Sequence, residues 1–232
     1  MLKLMKLEIK KYKITGYIRN VIIANLIISG ILFMVIFASK ADMEVPFSTY
    51  NDAVLLTGTI VRATFSIFAA VIISRIIIGE YKSKTINIMF LYPINRKKIM
   101  IAKLAIVVLF AFTSMVISSI FANFSLYILN IFVNFIQVPL TQEILVKSLI
   151  NIVVYSAAFS FVSLIPVYVG MRRKSGSATI VTSVILVSLL NSGNSKNSLG
   201  TIIIIPLILA IIGAVAAYLS IKDVEKVDVL NF

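Results

Sequence analysis

Uncharged apolar runs of about twenty residues recur along the chain, separated by short basic or polar connectors, and each is long enough for a helix to cross a hydrocarbon core of roughly 30 Å. Six spans are predicted, over residues 18–38, 54–78, 99–124, 150–170, 178–190 and 199–221. One stretch, 104 through 142, carries no charge for 39 residues. As a helix it would extend about 59 Å, too long for one straight crossing. An extra span there would put Met171-Arg-Arg-Lys174 outside, against the enrichment of Lys and Arg in cytoplasmic loops. Residues 130–142, with Asn130, Asn134, Gln137 and Pro139, are therefore assigned to an external interfacial segment.

Ahead of the first span, residues 1–17 have helical periodicity. Leu2, Met5, Ile9 and Tyr12 share one face and Lys3, Lys6, Lys10 and Lys13 a neighbouring stripe, which describes either an amphipathic helix lying on the membrane or a plain basic anchor. The 18 uncharged residues from Val21 to Ala38 exceed the apolar region of a cleaved leader, so this span is read as retained. Tyrosines 17, 50, 81, 92, 168 and 218 fall near predicted span ends, where an apolar ring with a polar tip is at home.

Composition agrees with the pattern: 60% of the 232 residues are hydrophobic, and mean hydropathy is +1.05. The expected fold class is all-α, a polytopic integral membrane protein forming a single permease domain over 1–232. The chain has no cysteine and no histidine, which removes disulfides, thiolate or imidazole catalysis and the usual zinc sites. Its net charge of +13 would suggest nucleic acid in a soluble chain. Here fifteen basic side chains fall in the predicted cytoplasmic segments (3–13, 82–98, 172–174 and 222–226) against three outside, Lys40, Lys147 and Lys196. That asymmetry orients the protein with both termini in the cytoplasm and removes nucleic acid as a partner.

The connector between the second and third spans has more internal order than topology requires. Thr85 is placed to cap a short helix, Ile86 to Tyr92 supplies its apolar residues, Pro93 stops it, and Asn95 can cap the next span. Lys82, Lys84, Arg96, Lys97 and Lys98 surround it. The plain alternative is a loop made basic only for orientation.

The order Gly79-Glu80, Thr85, apolar helix, Pro93, basic cluster and Ile99-Met-Ile-Ala-Lys-Leu104 resembles the second-to-third-span linker of ABC-2 type transporter permeases. The motif covers about residues 79–104. Six spans and about 230 residues resemble the small permeases of that family that export, or protect against, antimicrobial and toxin peptides, which would make the protein a bacterial one of the cell membrane. The resemblance implies a coupling helix docked in a groove of a separate cytoplasmic ATPase, through Glu80, Thr85, Ile86, Ile88, Met89, Phe90, Leu91, Tyr92, Pro93, Arg96, Lys97 and Lys98. Lys84 stands where the family often has glycine, and Asn87 where it often has an acid. It further implies a second permease subunit, identical or paralogous, contact with membrane lipids, and a hydrophobic or amphipathic peptide cargo. No cofactor is expected in this chain; ATP and magnesium would belong to the partner. Gly170 to Ser177 is the nearest approach to a phosphate loop, but five residues separate its glycines and the Gly-Lys-Ser/Thr ending is missing. The chain is therefore expected to be a non-catalytic subunit.

Polar residues within spans remain. Ser119, Asn123, Tyr127, Asn130 and Asn134 lie within about 80° of one helix face and either line a substrate path or hydrogen-bond to a neighbouring helix. Arg62 lies about 12 Å beyond Val54. It either acts inside the membrane, with Asp52 or Glu44 as partner, or snorkels outward. Arg75 and Lys103 are expected to snorkel to the cytoplasmic surface. Ala210, Gly213, Ala214 and Ala217 would admit a close helix neighbour, and Pro166 and Pro206 would bend their helices. A transporter or channel driven by an ion gradient would place ionisable groups deep in several spans, and here Arg62 alone qualifies. An intramembrane enzyme finds no catalytic pair. A scaffold or sensor is the other alternative.

Overall fold

A computed structural model describes residues 2–12, 15–41, 50–82, 96–133, 142–192 and 199–222. The described residues are helices joined by short turns. Helix α1 is Leu2–Lys11 and α2 is Thr15–Ala41. Helix α3 begins as Tyr50–Ile73, passes through a π-helical turn at Ser74–Ile78 and ends as Gly79–Lys82. Then follow α4, Arg96–Val133; α5, Gln142–Val162; α6, Ile165–Arg173; α7, Gly176–Leu190; and α8, Ile204–Lys222. Among these residues, five helical stretches are long and apolar enough to cross a membrane: 16–38, 50–81, 97–133, 142–173 and 204–222. Helix α7 is apolar but has 15 residues, about 22 Å. Apolar side chains exposed along α2, α4, α5, α7 and α8 cover the outside of the bundle. In water such a surface would aggregate, and in lipid it is matched. This is a polytopic membrane protein.

Helix α3 is the central element, packed on α4, α5 and α7, while α8 lies against α5 and α6. Two apolar clusters fill the interior. One joins Tyr17, Ile72, Ile76, Met100, Leu104, Val167 and Ala217 at the end where α1 sits. The other joins Leu32, Val61, Phe65, Met115, Phe159 and Leu190 toward the far end. Because lipid is as apolar as leucine, helix association in a membrane depends on close approach and hydrogen bonds. Both are present. A Cβ on Gly213 of α8 would stand 2.1 Å from the Phe161 carbonyl oxygen of α5, and one on Gly170 of α6 would stand 2.0 Å from Thr179 Oγ1 of α7. Ser183 of α7 donates to the Ser66 carbonyl of α3 at 3.2 Å.

Several expectations are revised. The helix carrying the third predicted span continues past Phe124 to Val133, so Asn130 is helical; Asn134, Gln137 and Pro139 lie outside the described residues. The segment predicted as one span over 150–170 is interrupted at Ser163–Leu164, because Pro166 has no N–H to return to Val162. Ser163 instead bonds back to Phe159 at 2.9 Å and Leu164 to Phe161 at 3.0 Å. Pro206 bends nothing: it sits in the first turn of α8, where a missing donor is tolerated, and 199–203 form turns rather than the start of a span. Helix α7 starts sharply after Lys174, which adopts a left-handed φ of 49°, and Ser175 caps it by accepting from the Ala178 N–H at 3.4 Å.

Candidate functional site

The two helices that flank segment 83–95 meet α1 in a buried cluster of charges. The π-helical turn of α3 bonds the Gly79 N–H to the Ser74 carbonyl, five residues back, and delivers Glu80 to the cluster. Lys103 of α4 is buried, 1% exposed, and its ammonium lies 2.9 Å from Glu8 Oε2 and 2.8 Å from Glu80 Oε2. It also donates to the Ile76 carbonyl within the π-helical turn at 3.3 Å. Glu80 Oε1 takes Lys11 Nζ at 2.5 Å and accepts from the Tyr12 hydroxyl. The Tyr12 ring lies 5.1 Å from Lys103 Nζ and 5.2 Å from Lys11 Nζ, so cations face it as well. Burial first, and then its hydrogen bond to Glu80, pushes the Tyr12 phenol above its ordinary range, so it remains a donor at every physiological pH.

Among the described residues two carboxylates and two ammonium groups alternate in this cluster, and their formal charges cancel. Charges withdrawn from water stabilise a fold only when each finds an opposite charge and further hydrogen bonds, which Lys103 does through two acids and a carbonyl. The arrangement is suited to mechanical linkage rather than to chemistry. It ties α1, the last turn of α3 and the first turns of α4 together at the two ends of 83–95. Among the described residues no group of three acidic side chains could hold a metal.

The expected snorkelling of Lys103 is thus overturned: the side chain turns inward because Glu8 and Glu80 lie there. Arg75 is exposed, and it donates to the Tyr17 hydroxyl at 3.3 Å. On α1, Met5 and Tyr12 pack on the bundle as their shared face requires, but Ile9 is 38% exposed and the inward place between them belongs to Glu8. Of the other residues assigned to coupling, Thr85, Ile86, Ile88, Met89, Phe90, Leu91, Tyr92 and Pro93 lie outside the described residues. Arg96 opens α4, followed by a half-buried Lys97 and an exposed Lys98.

The membrane interior holds a second polar set. Arg62 is buried, and its guanidinium donates to Thr59 Oγ1 at 3.1 Å and sits 4.7 Å from the Tyr155 ring and 5.3 Å from the Phe159 ring. It neither snorkels nor meets Asp52, and Glu44 lies outside the described residues. The predicted stripe on α4 divides. Ser119 is buried and Asn123 donates back to its carbonyl at 2.8 Å; Tyr127 is exposed; Asn130 donates to the Tyr50 hydroxyl of α3 at 2.6 Å; Asn134 is not described. The Asn130 contact is one between helices, whereas Asn123 Oδ1 is buried without a hydrogen-bond partner. Helices α2 and α4 also flank an open groove of about 590 Å³ on the apolar outer surface, lined by Ile18, Ile22, Leu26, Ile117 and Phe121, with Asn25 and Ser114 as polar points. Sequence reading missed an inner seam of small hydroxyls, including Thr57, Ser118, Ser156, Ser160, Thr179 and Ser183, all buried.

A family model described as "ABC-2 family transporter protein" matches residues 4–191, from α1 through α7. The chain belongs to this ABC-2 transporter family. The uncharacterized protein YcbO of Bacillus subtilis (strain 168) is 39% identical over 227 residues, which cover 98% of this chain and 100% of that relative. No solved structure matches. An ABC-2 protein is the membrane subunit of an ATP-binding-cassette transporter, so family membership implies partnership with an ABC ATPase. The buried cluster at Glu8, Glu80 and Lys103 lies within the stretch that the family model matches.

Proposed function

We propose that this chain is the permease subunit of an ATP-driven exporter of hydrophobic or amphipathic peptides, coupled to its ATPase through residues 80–98. The observation that carries the reading is the ion cluster formed by Glu8, Lys11, Glu80 and Lys103. A loop pushed by a soluble partner transmits force only where its ends are fixed to something rigid. Here the residue at its start, Glu80, is bonded to α4 on the other side of the loop and to α1. In this reading ATP-driven closure of the partner acts on Ile86 to Tyr92, the cluster passes the displacement to α1, α3 and α4 as one body, and a path between two permease subunits opens outward. Both termini lie in the cytoplasm.

The test is reversal of the basic group, Arg96→Glu with Lys97→Glu and Lys98→Glu. All three stand in the first turn of α4, where Lys97 is half-buried and Lys98 exposed. Co-purification with the cognate ATPase is expected to weaken by roughly tenfold or more, as removal of exposed interface charges slows docking. Transport-linked ATP hydrolysis is expected to fall with it while the permease alone keeps its thermal stability. Assembly and coupled hydrolysis at parental levels would remove the docking assignment.

A further inference from the structure

Two basic side chains are buried among the described residues, and the protein treats them differently. Lys103 is neutralised by two of the chain's own carboxylates. Arg62 is given a hydroxyl and two aromatic faces, and its guanidinium, with five N–H donors, makes one hydrogen bond, to Thr59. Ring faces attract a cation without accepting its fork of hydrogen bonds, so the donors that carry directional recognition stay uncommitted. The surroundings hold the side chain in this condition. Tyr155 donates its hydroxyl to the Thr201 carbonyl at 2.5 Å, which fixes the ring and keeps the phenol oxygen engaged elsewhere. Gly58 leaves the space the guanidinium fills, since a Cβ there would lie 2.8 Å from Arg62 Nη1. One turn further along α3, the Ser66 hydroxyl is buried with no hydrogen-bond partner.

We propose that Arg62 is an anion-binding point inside the membrane domain, which takes the carboxylate or phosphate head of an amphiphile. A planar guanidinium pairs with either group through two parallel hydrogen bonds, and in surroundings of low dielectric that pairing is stronger than at a surface. The ligand's charge supplies the counter-ion that Lys103 has in Glu8 and Glu80 and that no described carboxylate supplies to Arg62. An amphiphile with a neutral head offers no such exchange.

The full chain in nanodiscs of neutral phosphatidylcholine, labelled with ¹⁵N-arginine, permits a direct reading without ATP or ATPase, so the result is independent of the export assignment. The Arg62 Nε resonance is identified by its absence in Arg62→Lys. Oleate is the carboxylate probe, phosphatidylglycerol introduced into the nanodisc is the phosphate probe, and oleyl alcohol is the neutral control. A saturable shift with oleate alone assigns a carboxylate ligand, a shift with phosphatidylglycerol alone assigns a lipid phosphate, and a shift with both assigns a general anion site. Gly58→Ala, which displaces the guanidinium, is expected to weaken the response by roughly tenfold. An Arg62 resonance unmoved by both anions, or moved equally by oleyl alcohol, would overturn the proposal and leave Arg62 as a structural post between Tyr155 and Phe159.

Discussion

Replacing Lys103 by methionine is expected to destabilise the protein by about 3–5 kcal/mol, the usual consequence of removing one partner from a buried ion pair. Methionine matches the length of the lysine stem, so packing is nearly conserved and the loss is electrostatic. What remains is Glu8 and Glu80, both buried, and among the described residues the cation paired with them is Lys11, which is 44% exposed and so screened by water. Because the lost contacts hold α1 to α3 and α4, the first element released should be α1. Thermal unfolding of the purified chain measures the first effect, and protease access to residues 2–12 the second. The triple variant Lys103→Met, Glu8→Gln, Glu80→Gln should recover most of the loss, since of the four charges it leaves that of Lys11, which is 44% exposed and can remain in water. A single Lys103→Met variant as stable as the parent would remove the cluster as a structural element.

The second large effect is at Gly213, where the expected result of Gly213→Ala is opposite in sign to what helix propensity gives. In mid-helix, alanine is favoured over glycine by roughly 0.5–1 kcal/mol. At this position the added Cβ would stand 2.1 Å from the Phe161 carbonyl oxygen and 2.9 Å from its carbon. Those atoms are backbone of α5, so no rotamer change relieves the clash, and the α5–α8 contact must open. The expected loss is at least about 3 kcal/mol, at the upper end of overpacking effects. Gly30→Ala in α2 is the control: nothing lies within 4 Å of its Cβ position, so it should be neutral or slightly stabilising. Parallel melting curves of the two variants decide the matter, and a Gly213→Ala melting point at or above the parent's would mean that α5 and α8 do not approach so closely.

Fold class was legible because span length and uncharged runs are local properties. The partners of individual side chains were not. Arg62 was recognised as an intramembrane charge, but its aromatic neighbours sit on α5, far along the chain. Lys103 was misread for the same reason: the groups that draw it inward are 95 positions away at Glu8 and on the preceding helix at Glu80. A signal for both acids was present. Glu8 is the sole acidic residue before Asp42, and Glu80 the sole one between Asp52 and Glu143. A lone carboxylate in a basic segment has a reason to be there other than orientation. The buried serines gave no such sign, since hydroxyls scattered through apolar runs reveal their seam only when the helices are assembled.

The π-helical turn at Ser74–Ile78 determines where the Glu80 carboxylate points. Such a turn accommodates one residue more than ordinary winding does, and each residue of an α-helix advances its side chain by about 100° around the axis. Wound regularly, α3 would swing Glu80 that far away from Lys103 and present a neighbouring residue in its stead. The widened turn therefore works as an angular offset, and whatever tightens or shifts it would release Glu80 from Lys103 and Lys11 by rotation alone, leaving the Glu8–Lys103 pair to hold the amino-terminal helix.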